Sequence, residues 1–283
     1  MDKISVRQIK EPEIAANFNI RKIGTLLSGK DMVQDLHRHD FFFVLVLEKG
    51  AGEHIIDFIS YPINNYSVFF MRPGQVHQLE LKKGSTGYLM EFNTEFYAPL
   101  ETAGKIILRK ASNRTYCRLN PVRFKKALSV LDSIFREHAE KQEKYKEAIL
   151  ANFELFLIEL IRQSQNPSGL VKGHNRYSQQ RLEDFLELLE THFANKKNAR
   201  HYAGLLNLTT YQLNAITRET VGKTCSELIK EHILLEAKRL LLATGNKVNQ
   251  ISYQLGYEDV SYFVRFFKKN TGYTPETFRE NFK

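Results

Sequence analysis

The chain of 283 residues contains the same supersecondary unit twice between residues 199 and 282. The second copy, residues 251–275, starts with a short helical pattern that stops at Gly256, a residue that enters a left-handed turn without steric cost. Asp259 then supplies an N-cap for a second helix, which we expect to end near Asn270. Two helices joined by a tight turn form a helix-turn-helix, so this copy predicts a DNA-binding element.

The first copy has residues of the same kind at matching positions. The matching pairs are Ala203 and Ser252, Leu206 and Leu255, Asn207 and Gly256, Leu208 and Tyr257, and, after a one-residue offset in the turn, Leu213 and Phe263, Ile216 and Phe266, Gly222 and Gly272, and Thr224 and Thr274. Internal repetition of this kind indicates duplicated supersecondary units. The sequence therefore predicts two tandem helix-turn-helix units.

Residues 225–244 lie between the copies and have an apolar stripe with no proline or glycine, which is typical of one long helix. Its length of about 30 Å is close to the roughly 34 Å of one turn of B-DNA. Such a helix would place two recognition helices on successive major-groove faces. An ordinary core helix would explain the apolar stripe, but not the repeat on either side.

Polar and basic side chains lie on the predicted outer faces of both recognition helices, because Phe263, Phe266 and Phe267 are spaced to face inward. The predicted base-reading residues are Thr210, Tyr211, Asn214, Ser261, Tyr262 and Arg265. Asparagine suits adenine, and arginine suits guanine. The predicted phosphate contacts are Arg218, Lys223, Thr224, Lys268, Lys269, Thr274 and Arg279, the two threonines through amide groups at helix N-termini. For any single lysine, a solvated surface charge is an equal alternative.

Residues 199–282 resemble the tandem helix-turn-helix domain of AraC/XylS-type transcriptional regulators. The resemblance is carried by QISYQLGY at 250–257, SYFVRFFKK at 261–269, and GYTP at 272–275 with Phe278 and Arg279. It implies regulated binding to double-stranded DNA at promoters, where RNA polymerase is a candidate partner. The first unit departs from the family pattern at Gly204, inside its first helix, and at Ala215, where a long polar side chain often reads a base.

Net charge does not identify the DNA-binding part. The chain has a formal net charge of +9 and an isoelectric point near 9.3. Residues 175–283 contain 16 Lys and Arg against 12 Asp and Glu, and the preceding residues contain 25 against 20. The excess is spread over both parts, so the motif carries the prediction.

Residues 20–118 contain short apolar runs that end at Gly, Pro or Asn, which predicts a small antiparallel β-barrel. Residues 37–77 resemble a cupin barrel, since His37-Arg38-His39 matches its first motif and PGQVH at 73–77 its second. The two-residue period of a strand places His37 and His39 on the inward face. The predicted effector pocket comprises His37, His39, Phe41, Phe43 and His77.

A metal site at His37, His39 and His77 is the less favoured interpretation. Cupin enzymes add a glutamate to three histidines, and the position expected for that glutamate holds Phe43 or Val44. We therefore expect no cofactor. Hydrogen bonding in an effector pocket or a structural role explains the histidines better, and core packing explains the aromatic residues equally well.

The predicted fold class is α+β multidomain. Residues 1–118 form the cupin-like barrel, 119–165 a helical coupling or dimerisation segment, 166–177 a polar linker, and 178–283 an all-α domain with two helix-turn-helix units joined by a long helix. The two apolar helices after the barrel would serve either dimerisation or packing on their own barrel. Ser178 is the expected N-cap of the first helix after the linker.

These patterns predict a homodimeric transcription regulator, not an enzyme, with a small-molecule effector of unspecified identity. Two alternatives stay open: a metal-dependent cupin enzyme with an accessory DNA-binding tail, and a constitutive regulator whose barrel is only a dimerisation scaffold. The sequence has no long apolar span and no apolar signal core at its start, so we expect no membrane partner and a cytoplasmic protein. Two cysteines support neither a disulfide framework nor a cysteine metal site.

Overall fold

A computed structural model of the chain describes residues 6–7, 17–97, 102–164 and 176–281. The described residues up to Ser164 form one compact unit, here the barrel unit, and those from Arg176 onward form a second, the helical unit. The predicted linker, residues 166–177, lies outside the described residues except for its last two positions. Those two positions are already helical.

The barrel unit contains two five-stranded sheets. Its strands are β1 (Val6–Arg7), β2 (Phe18–Lys22), β3 (Met32–His39), β4 (Phe42–Lys49), β5 (Gly52–Ile56), β6 (Ile59–Ile63), β7 (Ser67–Met71), β8 (Val76–Leu81), β9 (Thr86–Phe92) and β10 (Tyr116–Arg118). The first sheet has the order β1-β3-β8-β5-β6 and the second β10-β7-β4-β9-β2. The strand pairs are antiparallel except β1 with β3, so the predicted antiparallel barrel is confirmed.

The second sheet is buried on both faces. On β4, Phe43, Leu45 and Leu47 point between the two sheets and join a core with residues of β5 to β9. The intervening residues Phe42 and Val44 point the other way and join a separate core with residues of several helices of the barrel unit. Burial on both faces explains the uninterrupted apolar run FFFVLVL, because neither side of this strand contacts water.

In the part of the chain that the structure describes, one short helix lies between β2 and β3, two helices lie between β9 and β10, and the other helices follow β10. The helices are α1 (Ile23–Leu27), α2 (Thr94–Tyr97), α3 (Thr102–Ser112), α4 (Pro121–Glu140), α5 (Tyr145–Ser164), α6 (Arg176–His192), α7 (Ala199–Leu205), α8 (Thr210–Val221), α9 (Cys225–Ala243), α10 (Val248–Gln254), α11 (Val260–Thr271) and α12 (Pro275–Asn281). Among the described residues, no helix is both long and apolar enough to cross a membrane.

Helices α4 and α5 are the two apolar helices predicted after the barrel. Asn120 caps α4 by accepting a hydrogen bond from the backbone of Arg123, and Pro121 occupies its first position. The apolar stripes of both helices, including Phe124 and Phe153, pack against the second sheet of their own barrel. Of the two roles that the sequence left open for these stripes, the structure shows packing on the barrel.

The start of α6 differs from the prediction. The helix begins at Arg176, so Ser178 lies within its first turn and is not the N-cap. Its hydroxyl instead donates a hydrogen bond of 2.7 Å to the Glu219 carboxylate of α8. Ser178 therefore connects two helices of the helical unit.

Candidate DNA-binding surface and barrel interior

The two predicted helix-turn-helix units, α7–α8 and α10–α11, have the same backbone turn. Asn207 and Gly256 occupy the left-handed region with φ of 55° and 71°. The next backbone N–H in each unit donates to a carbonyl of the preceding helix, Leu208 to Ala203 at 2.8 Å and Tyr257 to Ser252 at 2.9 Å. These hydrogen bonds satisfy carbonyls at the helix end, as in a Schellman turn.

The ends of the recognition helices also repeat. Thr209 caps α8 with a reciprocal capping box, and Asp259 caps α11 by accepting from the backbone of Ser261. Gly222 and Gly272 end the two helices with φ of 73° and 83°. The caps that the sequence predicts for the second unit are therefore confirmed.

The inward faces of the recognition helices form the core of each unit. Leu213, Phe263 and Phe267 are fully buried. Phe266 is only half-buried and lies 5.7 Å from the ring of Tyr257, so the prediction that it is a core residue needs correction. It lines a surface cavity of about 330 Å³ with the side chains of Lys230, Arg265 and Lys269.

Most of the predicted base-reading side chains are accessible. Tyr211, Ser261, Tyr262 and Arg265 are exposed, and Thr210 is half-buried at the start of α8. The nearest Arg265 nitrogen lies 3.7 Å from Asp259 Oδ2, with both side chains more than 60% exposed. Such an exposed ion pair contributes at most about 1 kcal/mol, so it leaves Arg265 free to reorient.

Asn214 is the exception. Its Oδ1 accepts a 2.9 Å hydrogen bond from the backbone N–H of Cys225, at the start of α9. A bidentate contact with adenine requires the same oxygen as an acceptor for the adenine amino group. This hydrogen bond gives Asn214 a capping role at the start of α9, and its predicted base-reading role stays a prediction.

Asn214→Ala is expected to lower the free energy of unfolding by about 0.5 to 2 kcal/mol, because the α9 N-terminus loses an acceptor. Urea unfolding followed by far-ultraviolet circular dichroism measures this loss, and Asn214→Asp, which keeps an acceptor oxygen, is the matched control. We expect Asn214→Ala to keep the sequence preference of DNA binding. A changed preference at one base pair would support the base-reading role.

Several predicted phosphate-binding residues have partners within the protein. Arg279 donates from Nε to the Leu241 carbonyl at 2.8 Å and from a terminal nitrogen to the Asn246 carbonyl at 2.7 Å. Burial of its guanidinium lowers the pKa of Arg279. Because these carbonyls lie at and just beyond the C-terminal end of α9, Arg279 holds that end of the long helix, and its predicted phosphate contact stays a prediction.

Thr224 also has a partner within the protein. Its backbone N–H and hydroxyl both donate to the Glu227 carboxylate, at 2.7 and 2.8 Å, in a capping box. The Glu227 carboxylate therefore accepts from the amide group that the sequence predicts as a phosphate contact. Lys223 forms an exposed ion pair with Glu231 at 2.7 Å. Thr274 accepts from the backbone N–H of Thr277 at 3.2 Å.

The remaining predicted phosphate contacts are exposed. Arg218, Lys268 and Lys269 all lie on the outer faces of α8 and α11. Lys230, which the sequence analysis missed, is exposed on α9 beside the second recognition helix. The sequence signal that could have identified Lys230 was its position outside the apolar stripe of α9.

Lys197 was also missed, and it connects the two parts of the helical unit. Its ammonium group donates to the carbonyls of Ala194 and Gly256, both at 2.7 Å, and lies 4.7 Å from the centre of the Tyr257 ring. Burial lowers the pKa of Lys197. The turn of the second unit is thereby tied to the loop between α6 and α7.

The predicted effector-pocket residues of the barrel do converge. His37, His39 and His77 lie on β3 and β8, and their ligand nitrogens are within 4.8 Å of one another. The Nε2 atoms of His39 and His77 are 2.8 Å apart. The ring of Phe43 stacks on His39 at 5.3 Å, and Phe41 lies 4.3 Å from it.

A fourth histidine, His54 on β5, completes this cluster and was missed from the sequence. Its Nε2 lies 2.8 Å from Nδ1 of His77. Burial, with a smaller contribution from His37, lowers the pKa of His54 to about 3, so this imidazole is neutral at physiological pH. The alternation that places Ile56 in the core also places His54 inward, and this was the available signal.

The cluster is shielded from solvent. His37, His39, Phe41, Phe43 and His77 are each at most 5% exposed. These groups lie among the apolar side chains between the two sheets. The imidazoles provide nitrogen donors and acceptors that are shielded from solvent, which suits either a polar ligand or a metal ion.

The solved structures that are similar to this chain include the following two. One is ToxT from Vibrio cholerae strain SCE256 with bound unsaturated fatty acid, at 15% identity and a TM-score of 0.43, covering 96% of this chain and 97% of that chain. The other is the C-terminal domain of the response regulator yesN from Fusobacterium nucleatum, at 27% identity and a TM-score of 0.34, covering 35% of this chain and 98% of that chain.

Curated relatives resemble the chain over most of its length. The transcriptional activator RhaS of Enterobacter sp. (strain 638) is 24% identical over 251 residues, which are 86% of this chain and 87% of that protein. RhaS of Yersinia pseudotuberculosis serotype I is 24% identical over 252 residues, with 86% and 88% covered. Both are HTH-type transcriptional activators by name.

Two family models match, one on each unit. The AraC-like ligand binding domain matches residues 29–123, and the helix-turn-helix domain matches residues 202–281. The first contains the histidine cluster and the second contains both recognition helices. The chain therefore belongs to the AraC family of DNA-binding transcription regulators, with an AraC-like ligand-binding domain in its barrel unit.

Proposed function

We propose that the protein binds specific promoter sequences through α8 and α11, which enter successive major-groove faces of double-stranded DNA. The observation that carries this proposal is the structural repeat of the two units, with matching turns, caps and C-terminal glycines. The connecting helix α9 has 19 residues, or about 28 Å, near the roughly 34 Å of one turn of B-DNA.

In this proposal the second unit provides most of the base reading. Arg265 is exposed and has the geometry for a bidentate contact with guanine, with Ser261 and Tyr262 on the same face. In the first unit, Asn214 caps α9 and the exposed position 215 is an alanine, which leaves Thr210 and Tyr211. Backbone phosphates bind Arg218, Lys268 and Lys269, with Lys223 and Thr274 at the helix ends.

We propose that the barrel controls this activity by binding an effector at the histidine cluster. The convergence of His37, His39 and His77 beside Phe41 and Phe43 supports a ligand site. An effector that prefers one conformation of the barrel would shift the population that binds DNA.

Further aspects of the proposal concern the assembly and its setting. The chain acts as a homodimer, for which the exposed apolar residues Val122 on α4 and Leu155 on α5 offer contact surface. It acts at promoters, where RNA polymerase is its protein partner, and therefore in the cytoplasm. It regulates transcription and does not catalyse a reaction.

Arg265→Ala tests the DNA-reading proposal. It is expected to weaken binding to the cognate promoter by about 1 to 3 kcal/mol and to relax the preference at one base pair, because the guanine contact is lost. Lys268→Ala is expected to weaken all sequences alike and to reduce the slope of log affinity against log salt by about 1. Selection of bound sequences from a random library, followed by affinity measurement at several salt concentrations, distinguishes the two effects.

Lys49→Ala, in the barrel unit, is the control for loss of one exposed positive charge. It is expected to leave both measurements unchanged. An Arg265→Ala protein with the wild-type sequence preference would contradict the assignment of α11 as the main reading helix.

A further inference from the structure

We propose that the ligand of the barrel is a divalent transition-metal ion, such as Zn²⁺, bound by His37, His39 and His77 and positioned by His54. This inference deepens the proposed effector control and rests on it for its regulatory meaning. The metal site itself stands on the geometry of the four histidines, whatever the DNA-binding unit does.

The ligand nitrogens of the three histidines converge on one point. Three imidazoles from two neighbouring strands place ligand nitrogens within 4.8 Å of one another in the buried core. Zinc binds imidazole nitrogen at about 2.0 to 2.1 Å, which places two ligands of a tetrahedral site about 3.4 Å apart. The His39 and His77 Nε2 atoms are 2.8 Å apart, so the ion would fit if these two atoms moved roughly half an ångström further apart.

The protein also fixes the orientation of the histidine rings. Histidines that bind a metal through one nitrogen usually donate a hydrogen bond from the other, which fixes the ring and its tautomer. The Nδ1 of His37 lies 2.6 Å from the Asp35 carbonyl, and the Nδ1 of His77 lies 2.8 Å from Nε2 of His54. In both rings the protein thus holds Nδ1, and Nε2 of His77 faces Nε2 of His39 at 2.8 Å.

These contacts assign His54 a positioning role. The 2.8 Å contact between His54 Nε2 and His77 Nδ1 holds the His77 ring with its Nε2 facing Nε2 of His39. An interior that only filled space would require no such chain of imidazoles. The buried position also excludes competing water, which strengthens the bond between ion and ligand.

The set of donor atoms selects the class of metal ion. Three neutral nitrogens suit Zn²⁺, Fe²⁺, Co²⁺ or Ni²⁺, whereas Mg²⁺ and Ca²⁺ require carboxylate and carbonyl oxygens. Either Phe43, which stacks on His39, or Val44 holds the position where the resemblance to cupins implies a glutamate. Three protein ligands leave an open position on the ion, as in zinc sites that accept an exchangeable ligand.

The experiment uses the full chain, freed of metal with a chelator and then titrated with Zn²⁺ and, separately, Co²⁺. Metal content by mass spectrometry is expected to reach one ion per chain, and Co²⁺ is expected to show the visible absorption of a nitrogen-ligated ion. His39→Ala and His77→Ala should abolish binding. His54→Ala should retain the site with an affinity about 10- to 100-fold lower and a shifted Co²⁺ spectrum, as for other residues that orient a metal ligand.

The control is the His192→Ala, His201→Ala double variant, which removes a pair of neighbouring histidines from the helical unit and should bind metal like the wild type. Wild-type protein that is folded by circular dichroism, yet binds neither ion at micromolar concentration, would overturn the inference even if the histidine variants fail to fold. Wild-type stoichiometry in folded His39→Ala would also overturn it.

The effect of the metal ion on promoter affinity is measured separately. Promoter affinity of the wild type is expected to differ between the metal-free and Zn²⁺-loaded forms, and Arg265→Ala should bind metal normally. Metal binding by a chain with no affinity for DNA would refute the proposed function and leave the site. Sequence-specific DNA binding by a chain with no metal affinity would refute the metal site and leave the proposed function.

Discussion

Gly256→Ala is expected to destabilise the helical unit by about 2 to 5 kcal/mol and to abolish sequence-specific DNA binding by the second unit. A left-handed conformation costs a residue with a Cβ about 1 to 2 kcal/mol, and Gly256 has φ of 71°. The added Cβ would lie 1.6 Å from the carbonyl oxygen of Ala194, a backbone atom that cannot rotate away. Moving that loop adds about 1 to 3 kcal/mol and disturbs both hydrogen bonds of Lys197.

Two other glycines separate the contributions to this loss. Gly272→Ala meets a similar φ of 83° but open space, so it is expected to cost only about 1 to 2 kcal/mol. Gly204→Ala lies inside α7, also in open space, and is expected to stabilise the helix by about 0.5 to 1 kcal/mol. Urea unfolding followed by circular dichroism ranks the three. Equal effects at Gly256 and Gly272 would contradict the proposed clash with Ala194.

Phe263→Ala is expected to lower the free energy of unfolding of the helical unit by about 3 to 5 kcal/mol. The ring is fully buried, with centres 5.4 Å from Tyr257 and 6.0 Å from Phe267, so truncation removes apolar contacts and leaves a cavity. A single domain has only about 5 to 15 kcal/mol of stability, so a large share is at risk. Chemical unfolding and the temperature dependence of DNA binding measure the loss.

Tyr262→Ala is the matched control for this core substitution. Tyr262 precedes Phe263 on the same helix but is 56% exposed, so its loss should change stability by less than about 0.5 kcal/mol. Its effect is expected on DNA affinity instead. A Phe263→Ala protein that loses less than about 1 kcal/mol would show that α11 does not pack its unit in the manner described.

The elements of the helical unit could be predicted closely because local signals determine them. Predicted residues 225–244 match α9 at Cys225–Ala243, and the Asp259 cap and the Gly256 turn are where the sequence indicates. Capping, left-handed turns and helical periodicity depend on neighbours a few residues away. The inward direction of His37 and His39 follows in the same way from the alternation of a strand.

Roles that depend on distant partners could not be predicted in this way. Arg279 is a basic residue in a DNA-binding motif by sequence, and its use at carbonyls about 33 to 38 positions away depends on how α12 packs on α9. Ser178 and His54 likewise owe their roles to partners on other elements. Composition and spacing carry no information about such partners.

The capping role of Asn214 left a trace in the repeat. Aligned on the recognition helices, Asn214 matches Val264, and Cys225 at the start of α9 matches Pro275 at the start of α12. Cys225 has a backbone N–H that needs an acceptor, whereas proline has none. The first copy, in which Cys225 has an N–H donor, therefore has the amide side chain of Asn214. The second copy, in which Pro275 has no donor, has the apolar side chain of Val264. The paired difference indicates a structural role.

The second sheet of the barrel constrains how this protein can diverge. On β4, Phe43 stacks on His39 in the interior, while the adjacent Phe42 stacks on Phe92, whose ring contacts Phe153 of α5. A change of volume at either residue shifts the backbone that both share. A relative that acquires a different ligand must therefore alter its interior without displacing this strand, or else change α5 at the same time. We expect substitutions at positions 42 and 43 to occur together with changes in α5.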